Sequence, residues 1–208
     1  SLQDNAHGRV SRDNMERKFY YLDDLVHFPD LTRLTVEKGF LDNLGAVADM
    51  PNLTVLELKN CHLADISPLS ALKNLTRLDL QGNVLIADLK PLSSLTQLEE
   101  LNLQESGSPK APLDFTPLAS LPKLKKLNAF VSTNAMNLAS IKNLARLEEL
   151  EINIDDSLAP LAGLTNLTSL TVRNGIIDKL SDLGPLGGLK KLRRLVVINM
   201  TQVSDLSP

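Results

Sequence analysis

Residues able to do acid–base, metal or nucleophilic chemistry are few in this chain, and their spacing does not bring them together. The histidines are His7, His27 and His62, and the only thiol is Cys61. Metal sites draw three or four such ligands into one cluster, whereas these fall in an N-terminal tail, a convex turn and a loop. Cys61 stands beside His62, but a nucleophilic thiolate needs both a base and a lowered pKa, and adjacency establishes neither. Its expected role is a buried side chain whose thiol faces the loop backbone. Asp155 and Asp156 are adjacent in a loop and read as solvated. There is no phosphate-binding glycine loop and no G-x-S-x-G elbow. The chain is therefore read as non-enzymatic, with no catalytic residue, no cofactor and no metal.

Charge is the remaining chemistry. The 22 Lys and Arg against 25 Asp and Glu leave a net charge of −3, with the signs interspersed. That balance argues against nucleic acid as a partner. Four N-x-T sequons occur at Asn52, Asn74, Asn166 and Asn199, and three of them are a recurring Asn-Leu-Thr before a strand. The lone cysteine allows no internal disulfide.

What must position these charges is a repeat. The beat L-x-x-L-x-L starts at Leu31, Leu53, Leu75, Leu98, Leu124, Leu147, Leu167 and Leu192, with Val36, Ala129, Ile152, Val172 and Val197 in place of the last leucine. The steps between first leucines are 22, 22, 23, 26, 23, 20 and 25 residues. A second rhythm follows each strand core, with an apolar residue at every third position: Leu44, Val47, Met50; Ile66, Leu69, Leu72; and so on to Leu183, Leu186, Leu189. A spacing of three suits a 3₁₀-like turn or short helix with one inward stripe.

A period in the twenties with this core predicts an α/β fold, a curved, right-handed leucine-rich repeat solenoid with a parallel concave β-sheet and short 3₁₀ or helical convex segments. The narrow coil explains a composition that is 43% hydrophobic but only 3% aromatic, with no Trp. Residues 22–208 read as one repeat domain of about eight strands, and residues 1–21 as a polar tail followed by a helical N-terminal cap. In that cap Asp13 and Glu16 form a capping box, Met15, Phe19 and Leu22 share one face, and residues before Ser11 are expected to be disordered. No run of 18 apolar residues exists, so no direct membrane insertion is expected. No signal peptide is visible at Ser1, although a processed fragment would have lost one.

Strand side chains alternate, so three columns of residues point away from the leucines onto the concave face. The candidate protein-binding residues lie in these columns: Arg33, Arg77, Glu100, Lys126 and Glu149 in the first; Glu57, Asp79, Asn102, Asn128 and Glu151 in the middle; Glu37, Lys59, Gln104, Phe130, Asn153 and Arg173 in the last. Many of the charges read equally well as cross-strand pairs on a solvated sheet. Phe130 is either an interface anchor or, if the irregular repeat at Ala129 turns it, a core residue.

At the loop position three residues beyond each strand core stand Gly39, Cys61, Asn83, Ser106, Ser132, Asp155, Gly175 and Met200, so an asparagine ladder is broken. Irregularity is expected around Ser106 to Asp114 and Ser132 to Asn137. The insertion Glu105 to Pro112 reads as an exposed loop. Asp205 to Pro208 repeats the DISP of Asp65 to Pro68, so the chain stops inside a repeat. Leu195, Val197 and Leu206 then face an open end, where further C-terminal repeats, a cap or a dimer contact are expected.

Segments such as ADISPLSALKNLTRLDLQGN (Ala64 to Asn83) and APLAGLTNLTSLTV (Ala159 to Val172) resemble the 22-residue repeats of bacterial internalins. The resemblance covers about Leu22 to Pro208. It implies a right-handed solenoid on a secreted or surface-attached bacterial protein that binds a protein ligand, here of unknown identity, through the concave face. An intracellular adaptor or enzyme regulator, which the unpaired cysteine suits equally well, and the targeting arm of a larger effector enzyme are the alternatives.

Overall fold

A computed structural model describes residues 9–10, 22, 25, 27–41, 43–107, 113–131, 138–154, 157–174 and 182–198. Its strands are β1 (Arg9–Val10), β2 (Arg33–Glu37), β3 (Val55–Lys59), β4 (Arg77–Asp79), β5 (Glu100–Asn102), β6 (Lys126–Ala129), β7 (Glu149–Ile154), β8 (Ser169–Asn174) and β9 (Arg194–Ile198). All pair in parallel and in chain order, forming one open sheet. Parallel neighbours require a crossover on one side of the sheet, and that crossover is right-handed because the strands twist to the right. The chain folds as a leucine-rich repeat solenoid.

The beat of the sequence sets the register. Leu34, Leu56, Leu78, Leu101, Leu127, Leu150, Leu170 and Leu195 are successive partners across β2 to β9. The first seven are at most 2% exposed. Each buried leucine contributes about 1.5–3 kcal/mol through removal of apolar surface from water. Leu195 is 43% exposed because no described unit stacks on β9, and Val197 beside it is only half-buried.

The crossovers are one short α-helix, α1 (Gly45–Ala48), and 3₁₀ turns at Ser67–Ala71, Lys90–Ser94, Thr116–Ser120, Leu138–Asn143, Ala159–Leu161 and Gly184–Gly188. The D-x-x-P-L pattern makes four of the 3₁₀ turns. Proline suits the first turn because no donor is needed there, and the residue before it is tied down by a side chain two places back. Asp65 accepts the Ser67 N–H at 2.8 Å, Asp88 the Lys90 N–H at 2.8 Å, Asp114 the Thr116 N–H at 2.9 Å and Asp182 the Gly184 N–H at 2.7 Å. The following leucines, Leu69, Leu92, Leu118, Leu161 and Leu186, are buried.

Asn-Leu-Thr turns out to be an inter-repeat clamp. Asn52, Asn74 and Asn166 donate through Nδ2 to the Pro29, Pro51 and Ala145 carbonyls at 3.2, 3.0 and 2.7 Å. Thr54, Thr76 and Thr168 donate through Oγ1 to the Thr32, Thr54 and Glu148 carbonyls at 3.1, 3.0 and 3.1 Å. Where the threonine position holds Glu99 and Lys125, a 2.7 Å ion pair takes its place.

Two expectations change. Arg9–Val10, expected in a disordered tail, form a two-residue strand parallel to β2, a ninth strand beside the eight that lie within residues 22–208. Of the expected capping helix, residues 13–21 lie outside the described residues, and Leu22 is buried. The insertion after β5 is exposed at Glu105, but the next two residues, Ser106 and Gly107, are buried. Ser106 Oγ donates to the Leu80 carbonyl at 2.6 Å and the Gly107 N–H to the Asn83 carbonyl at 3.3 Å, so the loop folds back onto the preceding unit. Residues 108–112 and 132–137, where irregularity was expected, and Leu206 lie outside the described residues.

Candidate functional site

Two of the three outward columns are in register across all eight strands, and the third is paired as Glu37 with Lys59 and as Asn153, Arg173 and Ile198. Arg33, Val55, Arg77, Glu100, Lys126, Glu149, Ser169 and Arg194 run across β2 to β9 as one line of partners, and Thr35, Glu57, Asp79, Asn102, Asn128, Glu151, Thr171 and Val196 as the next. The burial pattern, buried at every second strand position and half-buried or exposed between, matches the alternation read from the sequence.

The N-terminal part of the face is a closed ionic network. Lys59 Nζ lies 3.7 Å from Glu37, 3.8 Å from Glu57 and 3.5 Å from Asp79. Arg77 spans Glu57 at 3.5 Å and Glu100 at 3.3 Å. Asp79 is only 5% exposed, because its short carboxylate sits between Lys59 and the Asn102 amide, which donates to it at 3.1 Å. It is a floor residue that a partner reaches only past its neighbours. Further along, Lys126 pairs with Glu149 at 3.0 Å, and the hydrogen bond and charge of Glu149 raise the lysine pKa above its usual range.

The middle column is a hydrogen-bonded floor. Thr35 donates to Glu57 at 3.2 Å and Asn128 to Glu151 at 2.8 Å. Asn102 and Asn128 turn their carbonyl oxygens to the Gln104 and Phe130 N–H groups, at 3.0 and 3.1 Å. Above this floor lies a shallow hollow of about 230 Å³ over β4 to β9. Its walls include Arg77, Glu100, Lys126 and Glu149, and also Ser169 and Arg194. Those last two were not among the expected binding residues, although they occupy the same column, which was the available signal.

Phe130 faces the concave side, since its ring is half-buried under the Arg173 guanidinium carbon, 4.7 Å from the ring centroid. Asn153, level with Arg173 on the neighbouring strand, donates to the Val131 carbonyl at 2.9 Å, while its Oδ1 is buried without a donor. Gln104 completes the last column as a half-buried residue.

The residues that could have done covalent chemistry are placed structurally. Cys61 is fully buried, its Sγ 3.4 Å from the Val36 carbonyl and 3.3 Å from the Lys59 carbonyl. Burial pushes its thiol up to about 11, the opposite of what a nucleophile needs. His62 stacks on Phe40 at 4.1 Å between ring centroids, with its Nδ1 3.4 Å from the Gly39 carbonyl. Asn83 alone supplies the amide of the broken ladder. It is fully buried, its Oδ1 accepts from the Cys61 and Leu63 N–H groups, and its Nδ2 donates to the Leu58 and Leu80 carbonyls. Asp155 and Asp156 lie outside the described residues. Among the described residues no group of His, Cys, Asp and Glu is arranged to hold a metal ion, and no helix is long and apolar enough to cross a membrane.

Comparison with known proteins agrees with this architecture. Residues 51–93 match the family model for leucine-rich repeats in two copies. Internalin C2 (inlC2) of Listeria monocytogenes is similar in structure, with a TM-score of 0.71 and 26% identity over 82% of this chain and 73% of that one. Internalin inlF of the same species gives a TM-score of 0.58 and 26% identity over 84% of this chain and 62% of that one. The ectodomain of the Arabidopsis thaliana receptor kinase GASSHO1/SCHENGEN3, solved in complex with CASPARIAN STRIP INTEGRITY FACTOR 2, shares the fold at a TM-score of 0.64 and 21% identity, over 85% of this chain and 25% of that one. No curated protein sequence matches the chain significantly. The repeats, the solenoid and the likeness to internalins together give a general protein–protein interaction architecture.

Proposed function

We propose that the chain is a non-enzymatic recognition module that binds a protein ligand on its concave face, and that it belongs to a bacterial secreted or surface protein. The observation that carries the reading is the in-register polar strip. Two columns of mostly polar side chains run in register over eight neighbouring strands, and a third is paired at β2–β3 and at β7–β9, while the strand leucines from Leu34 to Leu170 are buried on the other side. At about 4.8 Å per strand the strip is roughly 35–40 Å long, which suits a protein partner covering about 800 Å². The likeness to two Listeria internalins favours an extracellular setting. Leu195 and Val197, left uncovered on β9, are where a further repeat, a cap or a second copy would pack.

The test is a paired capture experiment. The immobilised chain and a Glu149→Lys/Glu151→Lys variant are exposed to host-cell and envelope extracts, with circular dichroism confirming equal folding. The expected result is a discrete protein whose retention differs between the native chain and the variant. Equal retention by both would remove the concave face from the reading.

A further inference from the structure

The charges of the concave face are unequally satisfied along its length. Among the described residues every carboxylate from β2 to β5 has a cationic partner, through Lys59 and Arg77. Beyond them only Lys126 and Glu149 pair. Glu151 is held by an amide alone, and Arg33, Arg173 and Arg194 make no ion pair with a described residue. Of these three arginines Arg173 alone is ordered by a neighbour, its guanidinium stacked on Phe130.

Stacking engages the face of a guanidinium and leaves the N–H donors at its edge free, aimed in a fixed plane. A side chain already ordered loses less freedom when a ligand arrives. We propose that Arg173, held on Phe130, is the receptor for a carboxylate of an acidic polypeptide partner, so that recognition is anchored on β6 to β8 rather than spread over the strip. This deepens the concave-face reading above and rests on it. The monoanion is favoured over a phosphate by the surroundings. Arg173 is the only cation in its column over β6 to β9, where its companions are Phe130, Asn153 and Ile198. Glu151 lies diagonally across on β7, at a distance of about 7–8 Å between backbones. A single planar fork matches one carboxylate through two parallel N–H···O bonds, whereas a dianion needs several cations and meets the Glu151 charge.

The probe is an acetylated, amidated hexaglutamate peptide, titrated into the ¹⁵N-labelled chain while the arginine Nε–Hε resonances are followed. The expected result is a saturable shift at Arg173, with affinity about tenfold weaker in Arg173→Gln and in Phe130→Leu, the loss of one charge-assisted pair. Arg173→Lys keeps the charge but not the fork, and is expected to lose most of that affinity. Arg33→Gln, at the far end of the strip, is expected to stay within about twofold of the native chain. No saturable shift at Arg173, equal losses in Arg33→Gln and Arg173→Gln, or inorganic phosphate binding more tightly than hexaglutamate would each overturn the proposal. An acidic partner is expected to be retained at least as strongly by the Glu149→Lys/Glu151→Lys reversal. If hexaglutamate fails while the reversal weakens capture, the acidic anchor falls and the concave face stands; if the reversal leaves retention unchanged, the broader reading falls regardless of the peptide.

Discussion

Replacing Asn83 with alanine removes four buried hydrogen bonds at once, with only the Leu80 carbonyl keeping a second side-chain donor, the Ser106 hydroxyl. The Cys61 and Leu63 N–H groups lose the acceptor they share at 3.0 and 3.2 Å, and the Leu58 and Leu80 carbonyls lose donors at 2.7 Å each. The side chain is completely buried, so water replaces it only by entering the vacated space. At about 1 kcal/mol for each hydrogen bond lost from a buried group, the substitution costs about 4 kcal/mol. With a urea dependence of about 2 kcal/mol per molar, the unfolding midpoint should fall by roughly 2 M. Asn83→Asp keeps the acceptor but loses both donors and buries a charge, and should be at least as damaging. Urea titration by circular dichroism measures the midpoint, and amide hydrogen exchange locates the damage, because units in a solenoid couple mainly to their neighbours. A midpoint shift below about 0.5 M, or exchange at Cys61 and Leu63 as slow as in the native chain, would refute the assignment of Asn83 as the tie between these repeats.

Gly82 has a φ of +74°, and a methyl group there would overlap Asn60 Oδ1, so Gly82→Ala should cost about 1–3 kcal/mol, while Gly163→Ala, with open space around it, should be neutral or gain up to about 1 kcal/mol in the same urea titration. The Cys61 thiol should resist alkylation at pH 8 in the folded chain and react fully in urea; its neutral form is favoured by burial, so this contribution to stability is present below pH 9 and lost as pH rises from about 9 to about 11. Rapid stoichiometric labelling of the native chain would contradict that burial. Asp65 is held below the usual carboxylate range by the Ser67 N–H and then its hydroxyl, and Asp114 by the Thr116 hydroxyl and then its N–H. Both groups therefore stabilise the fold above about pH 3.8 and cease to do so as pH falls through their lowered values. Carboxyl NMR should find the Asp114 midpoint raised in Thr116→Val, and an unchanged midpoint would show the hydroxyl to be irrelevant.

Much of the fold was legible because a solenoid is locally encoded. Each unit needs the same inward residues at the same offsets, so Leu34 to Leu195 could be aligned, and the outward columns with them, without knowing any long-range contact. The convex turns were visible for the same reason, as apolar residues at every third position within one unit, whereas the aspartates that accept an N–H two residues on were found only in the structure. Asn-Leu-Thr was legible as a recurrence but not as a clamp, because its carbonyl partners belong to the preceding unit, 20 to 23 residues back. Ser106 and Gly107 read as the start of an exposed loop because their sequence is loop-like, yet a hydroxyl and an amide of that segment meet carbonyls of the preceding unit.

The sequence by itself determined the repeat, the register of the leucines and the identity of the three columns, because backbone alternation and an inward apolar beat act within a single unit. Only the tertiary structure decided which charge meets which. Lys59 gathers three carboxylates from its own strand and from both neighbouring strands, Arg77 bridges to β3 and β5, and Arg173 reaches past β7 to lie on Phe130. A long side chain can adopt many rotamers of similar local energy, so its choice is set by neighbours that stacking brings to within about 5 Å although they lie roughly twenty to forty residues away in the chain.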